Sequence, residues 1–221
     1  TGGPNWLNNS THNWLRNNNP CDWEGVACWG GKVVRLELPG NGLKGQLPDL
    51  GGLAYLQQLG LFNNPGLTGP LPDLTQLSDL SKVIIFKTGL TGFLPDVVNM
   101  PRLTHLHVHN SHFFGPIPDI SHLEEFIGHG NALCLSPRLN YSSVLSSVSG
   151  YSTCQPMLPD RLRWQLNVID FGAIPGDNKN DHQAINHALN MLQMTLPFQS
   201  PLANLTVFFP AGTYHLEKSI T

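Results

Sequence analysis

Between residues 105 and 129 the chain carries six of its ten histidines. Three of them, His105, His107 and His109, alternate with Leu106 and Val108 in the run Thr104 to Asn110. Imidazoles spaced by two along a strand fall on one face, so their nitrogens could converge on a zinc or copper ion at about 2.0 Å. Imidazole also changes charge near neutral pH, so the same face could become cationic as pH falls toward about 6. The third reading is a polar strand face wetted by solvent. Which applies depends on the element that positions the run.

That element is one unit of a repeat. Leu36, Leu59, Val83 and Leu106 recur at intervals of 23, 24 and 23 residues, and Gly45, Gly69, Gly92 and Gly115 at 24, 23 and 23. The extra residue falls at Asn63-Asn64-Pro65-Gly66, and a shorter fifth unit puts Phe126 20 residues after Leu106. Self-similarity at this period predicts a solenoid in which each coil buries its apolar side against the next. The L-x-L core of each unit is a short strand, and the residues between its core positions face outward. Coil by coil that face reads Arg35, Glu37, Pro39; Gln58, Gly60, Phe62; Lys82, Ile84, Phe86; His105, His107, His109; Glu125, Ile127, His129. With strands about 4.8 Å apart, His109 should flank His129, and Glu125 should lie beside His105. Phe62, Lys82, Ile84, Phe86, His105, His107, His109, Glu125, Ile127 and His129 are therefore the candidate ligand-binding residues. A metal on His105, His107, His109 and His129 is the minor reading, and no cofactor is called for. Asn41, Asn64 and Asn131 sit where a side-chain amide can bond backbone of the turn; Thr88 and Ser111 replace Asn there, which should weaken that ladder. Asp49, Asp73, Asp96 and Asp119 each follow a Leu-Pro or Ile-Pro pair and read as turn caps rather than cation ligands.

Composition narrows the function classes. Only 12% of residues are charged, with a formal net charge of −3, which excludes the clustered basic surface of a nucleic-acid binder. No apolar run approaches the roughly 20 residues that span a bilayer. The opening residues lack the charged-then-apolar signal pattern, so any leader is expected to be gone already. Cys21, Cys28, Cys134 and Cys154 make an even count, and Asn8, Asn9, Asn140 and Asn204 begin Asn-x-Ser/Thr acceptors. Together these favour an oxidising, secreted setting with glycosylation at those four asparagines.

The pattern L-x-x-L-x-L-x-x-N-x-L-x-G-x-(L/I)-P resembles the plant-type extracellular leucine-rich repeat. "WLRNNNPCDWEGVACWGGKVVRLEL" is similar to that family's N-terminal cap and "GNALCL" to its C-terminal cap. The resemblance covers about residues 1–155 and implies the pairings Cys21–Cys28 and Cys134–Cys154, each closing a cap over a terminal coil. It also implies a role as receptor ectodomain or inhibitor of pectin-degrading enzymes, with the outward face as the binding surface. Trp6 and Trp14 are expected to pack within the cap.

Beyond residue 165 the pattern changes. "VIDFGAIPGDNKNDHQAINHALN" (168–190) contains a strand, a Gly/Pro/Asp turn and a helix expected from about Asp181 to Met194; "VFFPAGTYHL" (207–216) is a strand broken by a turn. "DFGA", "GD", "AI" and "FPAGTY" resemble the N-terminal cap and first coil of pectate-lyase-like right-handed β-helix proteins. Asn178 departs from that pattern, as does Asn180-Asp181-His182. In that family the catalytic acids sit on later coils, so Asp170, Asp177 and Asp181 read as turn or cap residues and no catalytic residue is expected in this chain. The expected fold class is an α/β solenoid. It comprises a leucine-rich repeat cap (1–32), five repeats (33–133), a C-terminal cap and linker (134–164), and a β-helix start with a capping helix (165–221). The expected function is a secreted cell-surface or cell-wall module binding protein or polysaccharide. One alternative is the first part of a pectin-active hydrolase or lyase. Another is a structural filament subunit, self-associating through the open β-helix end.

Overall fold

The structure is a computed structural model that describes residues 14, 18–136, 138–141, 148–154, 165–168, 181, 185, 189 and 206–208. Its twelve strands are β1 (Val26–Trp29), β2 (Lys32–Glu37), β3 (Gln58–Gly60), β4 (Thr68–Gly69), β5 (Lys82–Ile84), β6 (Gly89–Gly92), β7 (His105–His107), β8 (His112–Ile117), β9 (Glu125–Ile127), β10 (Ala132–Leu135), β11 (Gln165–Asn167) and β12 (Thr206–Phe208). They form a six-stranded sheet ordered β1-β2-β3-β5-β7-β9, a four-stranded sheet ordered β10-β8-β6-β4, and the pair β11-β12.

The six-stranded sheet is parallel from β2 onward, one strand per coil. Its register stacks Leu36, Leu59, Val83, Leu106 and Phe126 in one line. Those side chains point inward; Leu59, Val83 and Leu106 are essentially solvent-free. Leu38, Leu61, Ile85 and Val108 make a second buried line, and Leu43, Leu67, Leu90, Phe113 and Leu133 a third. Each fully buried aliphatic contributes about 1.5–3 kcal/mol, so apolar residues recurring at the coil period drive the stacking. No single coil could do this alone.

Between coils, buried polar groups replace the usual ladder. Asn64 is fully buried; its Nδ2 donates to the carbonyls of Leu38 (2.8 Å) and Leu61 (2.8 Å), and its Oδ1 accepts from the Leu43 N–H (3.0 Å). Asn131 repeats the arrangement with Val108 O, Gly128 O and Phe113 N. Where Thr88 and Ser111 stand instead, hydroxyls make the inter-coil link at the position expected to weaken the ladder. Their oxygens lie 3.1 Å apart, the Thr88 N–H donates to Ser111 Oγ (3.2 Å), and Thr88 Oγ1 donates to Ile85 O (3.0 Å).

The repeat glycines Gly45, Gly69, Gly92 and Gly115 all have φ between +79° and +94°, a conformation that penalises any side chain. They do not pair with one another. Gly45 opposes Leu67, Gly69 opposes Leu90, Gly92 opposes Phe113 and Gly115 opposes Leu133. Each of the first three thus pairs two residues short of the next repeat glycine.

Both ends are closed. Cys21–Cys28 and Cys134–Cys154 are disulfides, with Cα atoms 5.6 and 4.9 Å apart. At the first end β1 folds back in a hairpin and pairs antiparallel with β2. Trp14 packs on Trp23 at 4.7 Å and donates its indole N–H to Glu24 O (2.8 Å). At the second, Tyr141 donates to Ile117 O (2.5 Å) and accepts from the Ser136 N–H (3.2 Å). Gly128 stands where the earlier coils carry Leu, Ile or Val, and the space is taken by the Phe126 ring and the Tyr151 hydroxyl.

β11 and β12 pair in parallel, placing the first strand of this segment slightly earlier than the Val168 start expected from sequence. Within the expected helix, Ile185 and Leu189 are helical, and the Ile185 N–H donates to Asp181 O (3.0 Å). Asp181 is buried. Trp6, Asp170 and Asp177 lie outside the described residues.

Candidate functional site

The outward face of the six-stranded sheet gathers the predicted binding residues in three rows. The row nearest the strand ends holds a column of rings. Phe62 stacks on Phe86 (centroids 4.8 Å, 14° between planes), Phe86 on His109 (4.2 Å, 12°), and His109 on His129 (4.8 Å, 24°). Four coils thus contribute one ring each to a continuous stack, its spacing close to the ~4.8 Å separation of strands. The next row places Ile84 and Ile127 on either side of His107. The third runs Arg35, Gln58, Lys82, His105 and Glu125.

At the β7–β9 end the imidazoles meet a carboxylate. The register puts Glu125 opposite His105, as the sequence implied, but the side chain leans to the neighbouring row. Glu125 Oε2 lies 2.9 Å from His107 Nε2 and 3.8 Å from His105 Nε2. His105 is held from its other side, with Nδ1 2.8 Å from Thr104 Oγ1. Among the described residues no group of three or more His, Cys, Asp and Glu is placed to hold a metal ion.

His109 is different. Burial holds its pKa below the ordinary imidazole range, and the neighbouring His129, His107 and Lys87 add to that depression. Its Nδ1 is buried with no hydrogen-bond partner among the described residues. Lys87 was not among the residues singled out from sequence. It occupies the position four after the strand centre, where Gly40, Asn63, Lys87, Asn110 and Gly130 all take positive φ (53° to 70°). A glycine or asparagine in four coils of five is the signal that could have drawn attention to it.

The other predicted positions are placed as follows. Asp49, Asp73, Asp96 and Asp119 each accept a backbone N–H two residues on, at 2.8–3.2 Å. For Asp119 the bonds from Ser121 lower the carboxyl pKa. Only Asp96 opens a 3-10 turn, Val97–Asn99; the others close local turns. Asn140 is exposed, while Asn8, Asn9 and Asn204 lie outside the described residues. Trp29, at the tip of the β1–β2 hairpin, is 81% exposed, and Lys32 lies over the Tyr55 ring at 5.6 Å; sequence reasoning passed over this patch.

Stacked parallel strands, disulfide-closed caps and the second sheet make the described residues between 18 and 154 a leucine-rich repeat solenoid, similar to plant proteins of that architecture. Curated plant proteins are similar to parts of this chain. A 60-residue stretch is 47% identical to the probable inactive receptor kinase RLK902 of Arabidopsis thaliana, covering 26% of this chain and 9% of that protein. A 72-residue stretch is 42% identical to polygalacturonase inhibitor 1 of Oryza sativa subsp. japonica, covering 31% of this chain and 22% of that protein. The match thus spans under a quarter of either relative. Among solved structures, a plant ice-binding protein superposes with a TM-score of 0.51 at 28% identity, over 55% of this chain and 42% of that one. The BIR3–SERK2 complex of Arabidopsis thaliana gives 0.50 at 26% identity, over 56% and 71%. Residues 165–221 match the family described as rhamnogalacturonase A/epimerase, pectate lyase-like. Among the described residues no helix is long and apolar enough to cross a membrane.

Proposed function

We propose that this chain is an extracellular binding module whose leucine-rich repeats take a protein partner on the open face of the six-stranded sheet. The ring column carries this reading. The core beneath is closed by its own aliphatic lines, and Phe62, Phe86, Ile84 and Ile127 stay half-open to solvent on the outer face. Apolar groups gathered on a solvent-facing strip mark interaction surfaces. Two closed disulfides that use all four cysteines fit an oxidising compartment. A protein partner also fits the relatives, one named as an inhibitor of polygalacturonase and one solved as a complex of two proteins. The division at 1–32, 33–133, 134–164 and 165–221 is part of the proposal.

The test is binding of the full chain to two immobilised probes, a secreted polygalacturonase and a SERK2-type ectodomain, with and without Phe62→Ala plus Phe86→Ala. Aromatic anchors at the centre of an interface are worth ~2 kcal/mol or more each, so the double variant should lose at least about tenfold in affinity while keeping its fold. Equal binding by both proteins, or no binding to either probe, would overturn the reading.

A second reading has its own observation. The match of residues 165–221 to a rhamnogalacturonase-type family, together with the parallel β11–β12 pair, supports a pectin-associated second module. The repeats would then deliver that module to cell-wall polysaccharide. Retention of the chain on rhamnogalacturonan beads, undiminished by the Phe62/Phe86 variant, would favour it.

A further inference from the structure

We infer that the imidazole end of the ring column is a proton-gated docking site for an acidic, aliphatic peptide segment. This inference rests on the protein-binding reading above and names the chemistry of the partner. Three observations lead to it.

The first is geometric. Phe86 is covered on both faces by Phe62 and His109, and His109 on both faces by Phe86 and His129. A sugar ring packs flat on an aromatic face, and these two rings have none to offer. What they present outward is edges, the positive side of the aromatic quadrupole, which suits carboxylates. Ile84 and Ile127, flanking His107 in the adjacent row, give aliphatic side chains a place that a polyuronate would leave unused.

The second is charge. At neutral pH the face and its rim hold Arg35, Lys82 and Lys87 against Glu37 and Glu125, and Arg35 and Glu37 sit within 3.9 Å of each other. The field is then weak. Four imidazoles lie on that face, two of them beside Glu125, so added protons shift its balance toward positive charge.

The third is His109 itself. The charged and titratable groups acting on it are His129 from the fifth coil, His107 on its own coil and Lys87 from the third coil; Phe86 covers its remaining face. All three of those groups are basic. An Nδ1–H would also find no acceptor where that nitrogen is buried. The free protein therefore resists a proton at this point, and a carboxylate brought by a partner supplies the missing counter-charge. Binding and proton uptake are linked. Affinity rises as pH falls from about 6.5 and levels off before the partner's own carboxylates protonate near ~4.

Two measurements on the full chain test this. Binding of a short fluorescent peptide alternating glutamate and leucine is read at about pH 5 and about pH 7.5, the range that imidazole titration spans. A carboxylate near an imidazole shifts its pKa by one unit or more, so binding should be about tenfold tighter at the lower pH. The glutamine counterpart of the peptide should show no such gain. The variant His109→Phe with His129→Phe extends the ring column and should hold the pH effect below about threefold. Proton NMR of the ring Cε1–H signals in the free protein is the second readout. His109 should titrate low, and should rise when His129→Phe removes its neighbour's charge. Independent titration of the two imidazoles, or tight but pH-independent binding of the glutamate peptide, overturns the inference and leaves the protein-binding reading intact. Binding of oligogalacturonate in place of the peptide overturns the assigned partner. Failure of the polygalacturonase and ectodomain probes at every pH refutes the broader reading instead.

Discussion

Tyr141 and Tyr151 stand ten residues apart in the C-terminal cap and should respond in opposite directions to the same substitution. Burial raises the pKa of both phenols, but only one has its hydroxyl satisfied. Tyr141 donates to Ile117 O and accepts from the Ser136 N–H, and both of those residues are buried. Tyr141→Phe removes both of those bonds from a buried site. A net intramolecular hydrogen bond contributes about 0.5–1.5 kcal/mol, so losing two should cost about 1–3 kcal/mol, a sizeable share of the ~5–15 kcal/mol that holds a domain together. The Tyr151 hydroxyl is buried in the space opened by Gly128, with no partner among the described residues. Tyr151→Phe removes a desolvated hydroxyl and should stabilise by about 0.5–2 kcal/mol. Equilibrium urea unfolding of the full chain at neutral pH reads both. With a slope of about 2 kcal/mol per molar urea, the midpoint should fall by ~0.5–1.5 M in the first variant and rise by ~0.3–1 M in the second. Shifts of the same sign would refute the argument, and so would a loss of stability in Tyr151→Phe.

Three further outcomes are expected. Asn64→Ala removes bonds to Leu38 O, Leu61 O and Leu43 N from a fully buried site and should cost about 3–5 kcal/mol, seen as early loss of amide-exchange protection across the first two coils. Lys87→Asn relieves a left-handed backbone (φ 53°) and should raise stability by up to about 1 kcal/mol in the same urea assay. The third concerns pH. His109 has its pKa depressed by burial and by three basic neighbours, so below about pH 6.5 the unfolded chain holds more protons at this residue than the folded chain. Its contribution to stability is present above that pH and is lost as pH falls through the lowered value. His109→Phe should flatten the stability–pH curve in this window, as read by thermal melts across acidic buffers.

Much of the scaffold is legible in the sequence because one quantity, the coil period, is written many times over. Leu36, Leu59, Val83, Leu106 and Phe126 announce their stacking by spacing alone, and their observed register is the spacing read back. The outward residues follow from strand alternation, which is why the repeat spacing by itself sets His109 beside His129. Side-chain direction is less constrained. Register sets Glu125 opposite His105, yet its carboxylate reaches His107 across the diagonal, a choice made by rotamers and not by periodicity. The Thr88–Ser111 link escapes the sequence for a related reason. Either hydroxyl alone is a poorer bridge than an amide, and only their adjacency across two coils restores the link. The two-residue offset in the pairing of the repeat glycines is also hidden, since equivalent glycines share a φ without sharing a hydrogen-bonding partner.

The same reasoning separates what the repeat specifies from what it leaves free. Inward positions answer to the neighbouring coils, so Leu, Ile, Val and Phe recur there and report only the solenoid. Outward positions answer only to their neighbours on the face, so the repeat itself leaves their identity open. Rings at one outward position in four successive coils, stacked within 4.2–4.8 Å of each other, are therefore not a by-product of folding. The column also changes character along its length, from phenylalanine in the second and third coils to histidine in the fourth and fifth. The shape of the strip stays constant while its charge becomes a function of pH. A purely structural ladder would gain nothing from that change, because imidazole stacks no better than a phenyl ring and protonation sets neighbouring histidines against each other. A binding surface would gain a condition on when it binds.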